Sequence, residues 1–232
     1  MKQYNGEKAI ISLTTWRARI DTVGLTLFSL IKQCPGFHIV LVLSEEEFPQ
    51  KEAELPDSVM AFVDQDLIEI LWVYKNYKSF KKVLFTMDKY RYVPVISADD
   101  DCIYKYNYAE QFYREWLKSQ KTFISIYVSE LENTPHCGGA ATLYPPYVFG
   151  ELGISILEKT KLYTKTNQDD DYYTALRQRL GLRKAKQIGV WKDLYTFHDE
   201  TCPSHNEIQN ISRKDRLKIM KSIMLKTLRA IC

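Results

Sequence analysis

Three consecutive aspartates, Asp99, Asp100 and Asp101, follow the apolar run YVPVI in the middle of the chain. Side chains at alternate positions of an extended segment point the same way, so we expect the carboxylates of Asp99 and Asp101 to converge and Asp100 to face elsewhere. Two converging carboxylates suit a hard divalent cation, Mg²⁺ or Mn²⁺, whose shell is completed by water and phosphate oxygens. The pattern predicts a metal and phosphate site, and the alternative is an acidic turn on the surface.

A second acidic cluster, Asp169, Asp170 and Asp171, opens a segment with a helical pattern at 169–181. Acidic residues favour the first turn of a helix because of its dipole, which gives a purely structural interpretation. The chemical interpretation is that one of these carboxylates acts as a general base toward an acceptor hydroxyl. The residues alone leave both interpretations open.

The segments that must position these carboxylates alternate between apolar runs, which predict strands, and apolar residues at helical spacing, which predict helices. The predicted strands are 8–16, 37–44, 67–74, 92–98, 122–129 and 184–191, and the predicted helices are 22–36, 79–90, 107–120 and 169–181. The segment 130–150, rich in Gly and Pro, is expected to be mostly loop. This order predicts an α/β fold with a central, mostly parallel sheet flanked by helices, in which ligands bind beyond the carboxyl ends of the strands.

Other metal and phosphate motifs fit less well. A calcium loop beginning at Asp99 lacks the glycine needed at its sixth position, where Tyr104 stands. Neither GxxxxGK[ST] nor GxGxxG occurs in the sequence. The His and Cys residues match no common zinc spacing. An aspartyl-phosphate enzyme is kept as a minor alternative.

Composition is that of a globular protein, with 232 residues of which 45% are hydrophobic and 26% charged. No apolar run approaches the roughly 18 residues of a membrane-spanning helix. The N-terminus shows no secretory pattern, and five scattered cysteines do not form a disulfide framework. We therefore expect a cytoplasmic protein.

The C-terminal segment 212–232 has a different character, because seven Lys or Arg and one Asp follow Ser212 in a chain whose net charge is +3. Its apolar residues recur at helical spacing, which predicts one basic amphipathic helix after a single domain over 1–211. Such a helix can lie on an anionic membrane surface or pack on the body or a second subunit. Nucleic acid is not an expected partner, because the rest of the chain is mildly acidic and lacks a groove-reading motif.

Several segments, in order over residues 9 to 180, resemble a known family. They are ISLTTWRARI, LVLSEEEFP, NYKSFKKVLFTMDKY before VISADDDCIY, then LYPP and DDDYYTAL. Together they resemble bacterial glycosyltransferases of the GT-A type, which have a Rossmann-like nucleotide-diphospho-sugar transferase fold and build capsule, lipopolysaccharide or other surface glycans. The resemblance implies one catalytic domain over 1–211, with a nucleotide-binding first half and an acceptor-side second half.

The resemblance also implies an activity. A hexosyltransferase of this type moves a sugar from a nucleoside-diphosphate donor, with UDP favoured, to a glycan or lipid-linked glycan, with Mn²⁺ or Mg²⁺ as cofactor and inversion of the anomeric centre. A metal suits this chemistry because the leaving group is strongly anionic. The alternatives are a nucleotidyltransferase or other phosphate-handling enzyme, and a non-catalytic carbohydrate-binding module.

By the same resemblance, single residues receive roles. Nucleotide-sugar binding is assigned to Thr14, Thr15, Arg19, Lys81 (or its neighbour Lys82), Asp99, Asp100 and Asp101, and metal binding to Asp99, Asp101 and His198. The acidic pair before an aromatic residue is Asp170 and Asp171, with Asp170 as the base. The acceptor is expected near Gly138, Gly139 and Tyr144, with the tyrosine stacking on a sugar.

Overall fold

The computed structural model describes residues 6–33, 35–131 and 134–197, together with Ser222. The strands are β1 Ala9–Thr14, β2 Phe37–Ser44, β3 Glu69–Val73, β4 Val95–Ser97, β5 Cys102–Tyr104, β6 Phe123–Leu131, β7 Thr134–Tyr144, β8 Ala185–Gln187 and β9 Tyr195–Phe197. The helices are α1 Val23–Ile31, α2 Asp57–Val63, α3 Lys81–Lys89, α4 Tyr108–Leu117, α5 Gly150–Thr160, α6 Asp169–Arg179 and α7 Trp191–Leu194.

A seven-stranded sheet runs in the order β3-β2-β1-β4-β7-β6-β8. The first four of these strands are mutually parallel, β7 runs antiparallel to both of its neighbours, and β8 is parallel to β6. Strands β5 and β9 form a separate antiparallel pair. The prediction of a mostly parallel central sheet is confirmed, and β4 lies at its middle where the strand direction changes.

Helices cover both faces of the sheet, as the continuous apolar runs of β1 and β2 require. Successive residues of β1 point to opposite faces. Ile11 therefore packs in one core cluster with Leu27 of α1, together with residues of α2 and α4. Ile10 packs in the other with Val83 of α3, together with residues of α5 and α6. This two-sided burial fixes the carboxyl ends of the strands at one edge of the sheet.

The expectation of a loop over 130–150 is wrong. Most of that segment is β7, which pairs with β4 through Tyr144↔Val95 and with β6 through Gly138↔Tyr127. Gly and Pro disfavour strands by local propensity, but pairing on both sides satisfies the backbone groups and overrides that preference. Gly138 and Gly139, expected near an acceptor, are thus residues of an internal strand. Helices α2, α5 and α7 were not predicted either.

The prediction of a basic helix over 212–232 falls outside the described residues, apart from Ser222, which is helical. His198 is also outside them. Within the part of the chain that the structure describes, no helix has both the length and the apolar character needed to span a bilayer.

Candidate active site

A cavity of about 470 Å³ opens at the carboxyl edge of the parallel strands. Its wall is formed by residues that follow β1, β2, β3 and β4, and by the residues at the start of α3 and α6. The lining residues are Thr14, Thr15, Trp16, Arg19, Glu47, Asn76, Lys78, Ser79, Lys81, Lys82, Asp99, Asp100, Asp101, Asn167, Asp169 and Asp170. The cavity therefore lies where an α/β sheet of this kind binds ligands.

The aspartate triplet lies in a turn between β4 and β5 rather than on an extended strand. Arg19 Nη1 lies 2.8 Å from Asp100 Oδ1 and 3.0 Å from Asp101 Oδ2, so one guanidinium joins these two carboxylates. Thr15 donates to the other oxygen of Asp100 at 2.6 Å, and Thr26 of α1 donates to its carbonyl at 2.9 Å. The expectation that Asp100 faces away from its neighbours is corrected, because Arg19 joins it to Asp101 and the alternation of an extended chain does not apply in a turn.

Asp99 is held from a different direction. Lys82 Nζ donates to Asp99 Oδ1 at 2.8 Å and lies 3.5 Å from Asp169 Oδ2 at the start of α6. The backbone N–H of Asp99 donates to the hydroxyl of Tyr104 at 2.7 Å. The buried ammonium of Lys82 thus connects the two acidic clusters that the sequence separates by about 70 positions.

The position of Lys82 is set by β1. The hydroxyl of Ser12 donates to the carbonyl of Lys82 and is hydrogen-bonded to Thr86 at 2.7 Å. Both hydroxyls are buried, so the start of α3 is attached to the central part of the sheet. The side chain of Lys82 leaves this fixed point and reaches the cavity.

The three carboxylates of α6 divide into two groups. Asp169 and Asp170 line the cavity, whereas Asp171 is directed to the β7 side, 3.9 Å from Nδ1 of His136. The expectation of Asp171 at the reaction centre is therefore corrected, because successive residues of a helix point about 100° apart.

The pKa values of these carboxyls are all raised. For Asp170, burial is the first cause and the neighbouring charge of Asp169 the second, and together they raise its pKa well above the usual value. Burial also raises the pKa of Asp169, although Lys82 opposes the shift. Burial followed by repulsion from Asp169 raises the pKa of Asp171 to about 7. Raised values suit a group that takes up a proton during a reaction.

Lys81 is buried more completely than Lys82 and faces another part of the cavity. Its Nζ lies 3.4 Å from Asn76 Oδ1 and 3.6 Å from Glu47 Oε2, and Ser44 holds that same glutamate oxygen at 2.9 Å. Burial lowers the pKa of Lys81, and Glu47 opposes the shift. Although Lys81 and Lys82 are adjacent in sequence, they contact different carboxylates: Lys81 lies beside Glu47, and Lys82 lies beside Asp99 and Asp169.

Tyr144 does not reach the cavity. Its side chain is 2% exposed, and its ring packs against Phe123, Phe149 and Tyr173 at centroid distances of 5.5 to 6.0 Å. The expectation that Tyr144 stacks on a sugar is corrected, because its ring is buried in one core cluster with these three residues.

Several cavity residues were not singled out from sequence. These are Glu47, Asn76, Lys78, Ser79 and Asn167, and Lys82 was named only beside Lys81. Glu47 follows β2 and Asn76 follows β3, so the rule that ligands bind beyond strand ends was the available signal. The segments LVLSEEEFP and NYKSF already contained most of them.

The described residues hold no preformed cluster of three metal-binding side chains. They do present Asp99 and Asp101 on the cavity wall, each with one carboxylate oxygen next to a cationic side chain, Lys82 or Arg19. Two carboxylates with room for water and phosphate oxygens are the donor set that Mg²⁺ and Mn²⁺ accept. The residues present fit a divalent cation of that kind.

Solved structures of glycosyltransferases share this architecture. Mannosyltransferase PcManGT from Pyrobaculum calidifontis, with GDP-Man and Mn²⁺, matches with a TM-score of 0.55 and 11% identity over 97% of this chain and 70% of that one. Residues 1–349 of S. aureus TarS, with UDP-GlcNAc, give a TM-score of 0.54 and 12% identity over 94% and 65%. GlyE from Streptococcus pneumoniae TIGR4 gives a TM-score of 0.50 and 12% identity over 79% of this chain and 45% of that one.

This chain has the GT-A fold. At identities of 11–12% the likeness establishes the fold and not the activity. The chain spans 38% of the longer TarS structure and 45% of GlyE. No protein-family model and no curated protein matches the sequence.

Proposed function

We propose that this protein is a metal-dependent glycosyltransferase that moves a hexosyl group from a nucleoside-diphosphate sugar, UDP-linked, to a glycan or lipid-linked glycan. The observation that carries the proposal is the cavity at the strand ends, where carboxylates from the β4–β5 turn and from α6 meet around Lys82 and beside Arg19. That arrangement supports a cation-binding side and a proton-accepting side within one cavity.

The nucleotide-sugar part of the proposal is supported by size and charge. A volume of about 470 Å³ is within the range of small-molecule sites. Thr14, Thr15 and Arg19 line it after β1, and Lys81 supplies positive charge for a diphosphate. Two structures of the same fold hold UDP-GlcNAc and GDP-Man, which supports a donor of this class.

The metal would be held by Asp99 and Asp101, with phosphate oxygens and water as the other ligands. A bound Mn²⁺ or Mg²⁺ stabilises negative charge on the departing nucleoside diphosphate. Arg19 fixes Asp101 and Lys82 fixes Asp99, so both carboxylates are oriented before a donor arrives. Preorganised charge of this kind reduces the reorganisation needed in the transition state.

Asp170 is the proposed general base, because it lines the cavity and Asp171 does not. Its carboxylate accepts the proton of the acceptor hydroxyl while that oxygen forms a bond to the anomeric carbon. The bond from the anomeric carbon to the diphosphate oxygen breaks on the opposite side, and the nucleoside diphosphate leaves with the electron pair. Attack opposite the leaving group inverts the anomeric centre.

The biological setting, synthesis of a surface polysaccharide on the cytoplasmic side of the membrane, is supported by the sequence resemblance. The acceptor-side role of Gly138 and Gly139 remains part of the proposal as backbone of β7, the strand between β4 and β6.

The decisive experiment measures thermal unfolding with UDP, GDP or CMP, each with and without Mn²⁺. We expect UDP with Mn²⁺ to raise Tm by several degrees and UDP alone to have little effect, since a ligand that binds only the folded state stabilises it. Donor screening then tests for release of nucleoside diphosphate. No shift with any nucleotide would favour a carbohydrate-binding module, and release of pyrophosphate would indicate a nucleotidyltransferase.

A further inference from the structure

Lys82 has contacts that set it apart from the other lysines of the cavity. Its ammonium lies between a carboxylate of the β4–β5 turn, Asp99 at 2.8 Å, and one of α6, Asp169 at 3.5 Å. Lys81 instead faces Glu47 and Asn76, and Lys89, on the same helix, pairs with Glu69 at the surface. Among the described residues, only Lys82 has salt bridges to both acidic clusters.

Both partners depend on this contact. Asp169 is buried, and its Oδ2 has no hydrogen-bond partner, so the ammonium of Lys82 is the charge that compensates it. Asp99 is more exposed and presents Oδ1 to Lys82. A buried carboxylate without a counter-charge is strongly unfavourable, so this contact fixes where α6 begins relative to the β4–β5 turn.

We propose that Lys82 is a positioning residue, an internal counter-ion that joins the metal side and the base side of the site and sets their separation. The proposal rests on the proposed function for its catalytic part. Through Asp169, Lys82 holds the first turn of α6, and hence Asp170, at a fixed distance from the donor. Through Asp99, it occupies one oxygen of a metal-side carboxylate and repels a cation bound there.

These two contacts predict opposite effects on metal binding and on turnover. Replacement of Lys82 by Met removes a positive charge next to Asp99 and frees its Oδ1, so Mn²⁺ should bind more tightly, on the order of tenfold. The same change releases the start of α6, so kcat should fall on the order of 100-fold, the cost of a displacement of about 1 Å at a reacting group. If the variant instead lost its structure, both Mn²⁺ affinity and kcat would fall. If Lys82 were instead a phosphate ligand, its replacement would weaken nucleotide binding.

The experiment compares wild type, Lys82→Met, Lys82→Arg, Asp169→Asn, the double variant Lys82→Met/Asp169→Asn and the control Lys89→Met. Mn²⁺ affinity is measured without nucleotide, from the paramagnetic resonance signal of free Mn²⁺, and thermal unfolding is followed without metal. The double variant carries neither charge of the buried pair. It should therefore stay folded even if Lys82→Met alone unfolds. Lys89→Met should match wild type in Mn²⁺ affinity and kcat.

The expected result is tighter Mn²⁺ binding in Lys82→Met and in the double variant, recovery of Tm in the double variant, and a kcat that stays low in both. Lys82→Arg should keep the wild-type Mn²⁺ affinity and part of kcat. Unchanged or weaker Mn²⁺ binding in a folded Lys82→Met would overturn the proposal, as would full recovery of kcat in the double variant. If the wild-type protein transfers no sugar, the proposed function is wrong. The role of Lys82 is then decided by the Mn²⁺ affinities and by whether the Tm changes of Lys82→Met and Asp169→Asn add up in the double variant.

Discussion

The turn 99–101 and the first turn of α6, 169–171, each carry three consecutive aspartates, and they differ in how their charge is compensated. In the β4–β5 turn every carboxylate contacts a cationic side chain, Arg19 or Lys82. In α6 only Asp169 has such a contact, with the ammonium of Lys82 that Asp99 also uses. Burial raises the pKa of Asp100 in the first cluster, where Arg19 opposes the shift, and it raises the pKa of all three carboxyls in the second.

That difference matches a division of chemical roles. Carboxylates on a cavity wall beside a turn are suited to hold a cation, and a carboxyl with a raised pKa, such as Asp170, is suited to exchange a proton. The number of nearby cationic groups, more than the number of aspartates, separates the two clusters. Substitutions that change one cluster at a time should therefore have separable effects.

The largest effect is expected for Asp170→Asn. An amide cannot accept the proton of the acceptor hydroxyl, so kcat should fall by about 10²–10⁴. Binding of UDP with Mn²⁺, measured by thermal shift, should be retained. Normal transfer by this variant would show that another group is the base, and Asp171→Asn is the matched comparison because Asp171 lies off the cavity.

Asp101→Ala tests the other cluster. Removal of this carboxylate should abolish the part of UDP stabilisation that depends on Mn²⁺, an expected loss of affinity on the order of 100-fold for a lost metal ligand. Calorimetric titration of UDP with and without Mn²⁺ measures it. If the Mn²⁺-dependent part survived, the metal would have to be held elsewhere.

Arg19→Met tests the compensation of the first cluster. Asp100 is buried and would lose its guanidinium partner, so the free energy of unfolding should fall by about 3 kcal/mol. Arg17→Met is the control, because Arg17 pairs with Glu54 at the surface and should change stability by less than about 1 kcal/mol. Urea unfolding at pH 7 compares them, and equal losses would contradict the role given to Arg19.

The smallest effect concerns Asp171 and pH. Its pKa in the folded chain is about 7, above the usual 3.8, so the folded state binds this proton more tightly than the unfolded state. The stability from this group is complete below about pH 4 and is lost as the pH rises toward 7. Asp171→Asn should raise Tm by a few degrees at pH 8 and by about one degree or less at pH 4. An equal change at both pH values would argue against the raised pKa.

The strand–helix order of the first half was predictable from sequence because its strands are short, continuous apolar runs. Asp99–Asp101 were predicted as a site because they follow such a run, and they do line the cavity. The partner of Asp99 could not be predicted from sequence. The choice between Lys81 and Lys82 depends on the rotation of α3, which the hydrogen bonds of Ser12 set across the sheet. Distant contacts of this kind leave no local pattern.

The second half was less predictable for a different reason. The Gly- and Pro-rich segment that becomes β7 has weak strand propensity, and its pairing with β4 and β6 decides its structure. Tyr144 was misplaced for the same reason: once β7 is an internal strand, the ring of Tyr144 packs in the core. The acidic start of α6 was recognised, but which of its three carboxylates faces the cavity required the helix orientation.

The central position of β4 has a consequence for the order in which the molecule opens. Its three residues pair with β1, and Val95 and Ile96 also pair with β7. On that side Thr142 of β7 donates its backbone N–H to the hydroxyl of Ser97. Amide hydrogens here should exchange with solvent only on global unfolding, whereas those of the edge strand β8 should exchange through local opening. The β4–β5 turn directly follows the strand that we expect to exchange most slowly. Local opening elsewhere in the chain should therefore displace its aspartates least.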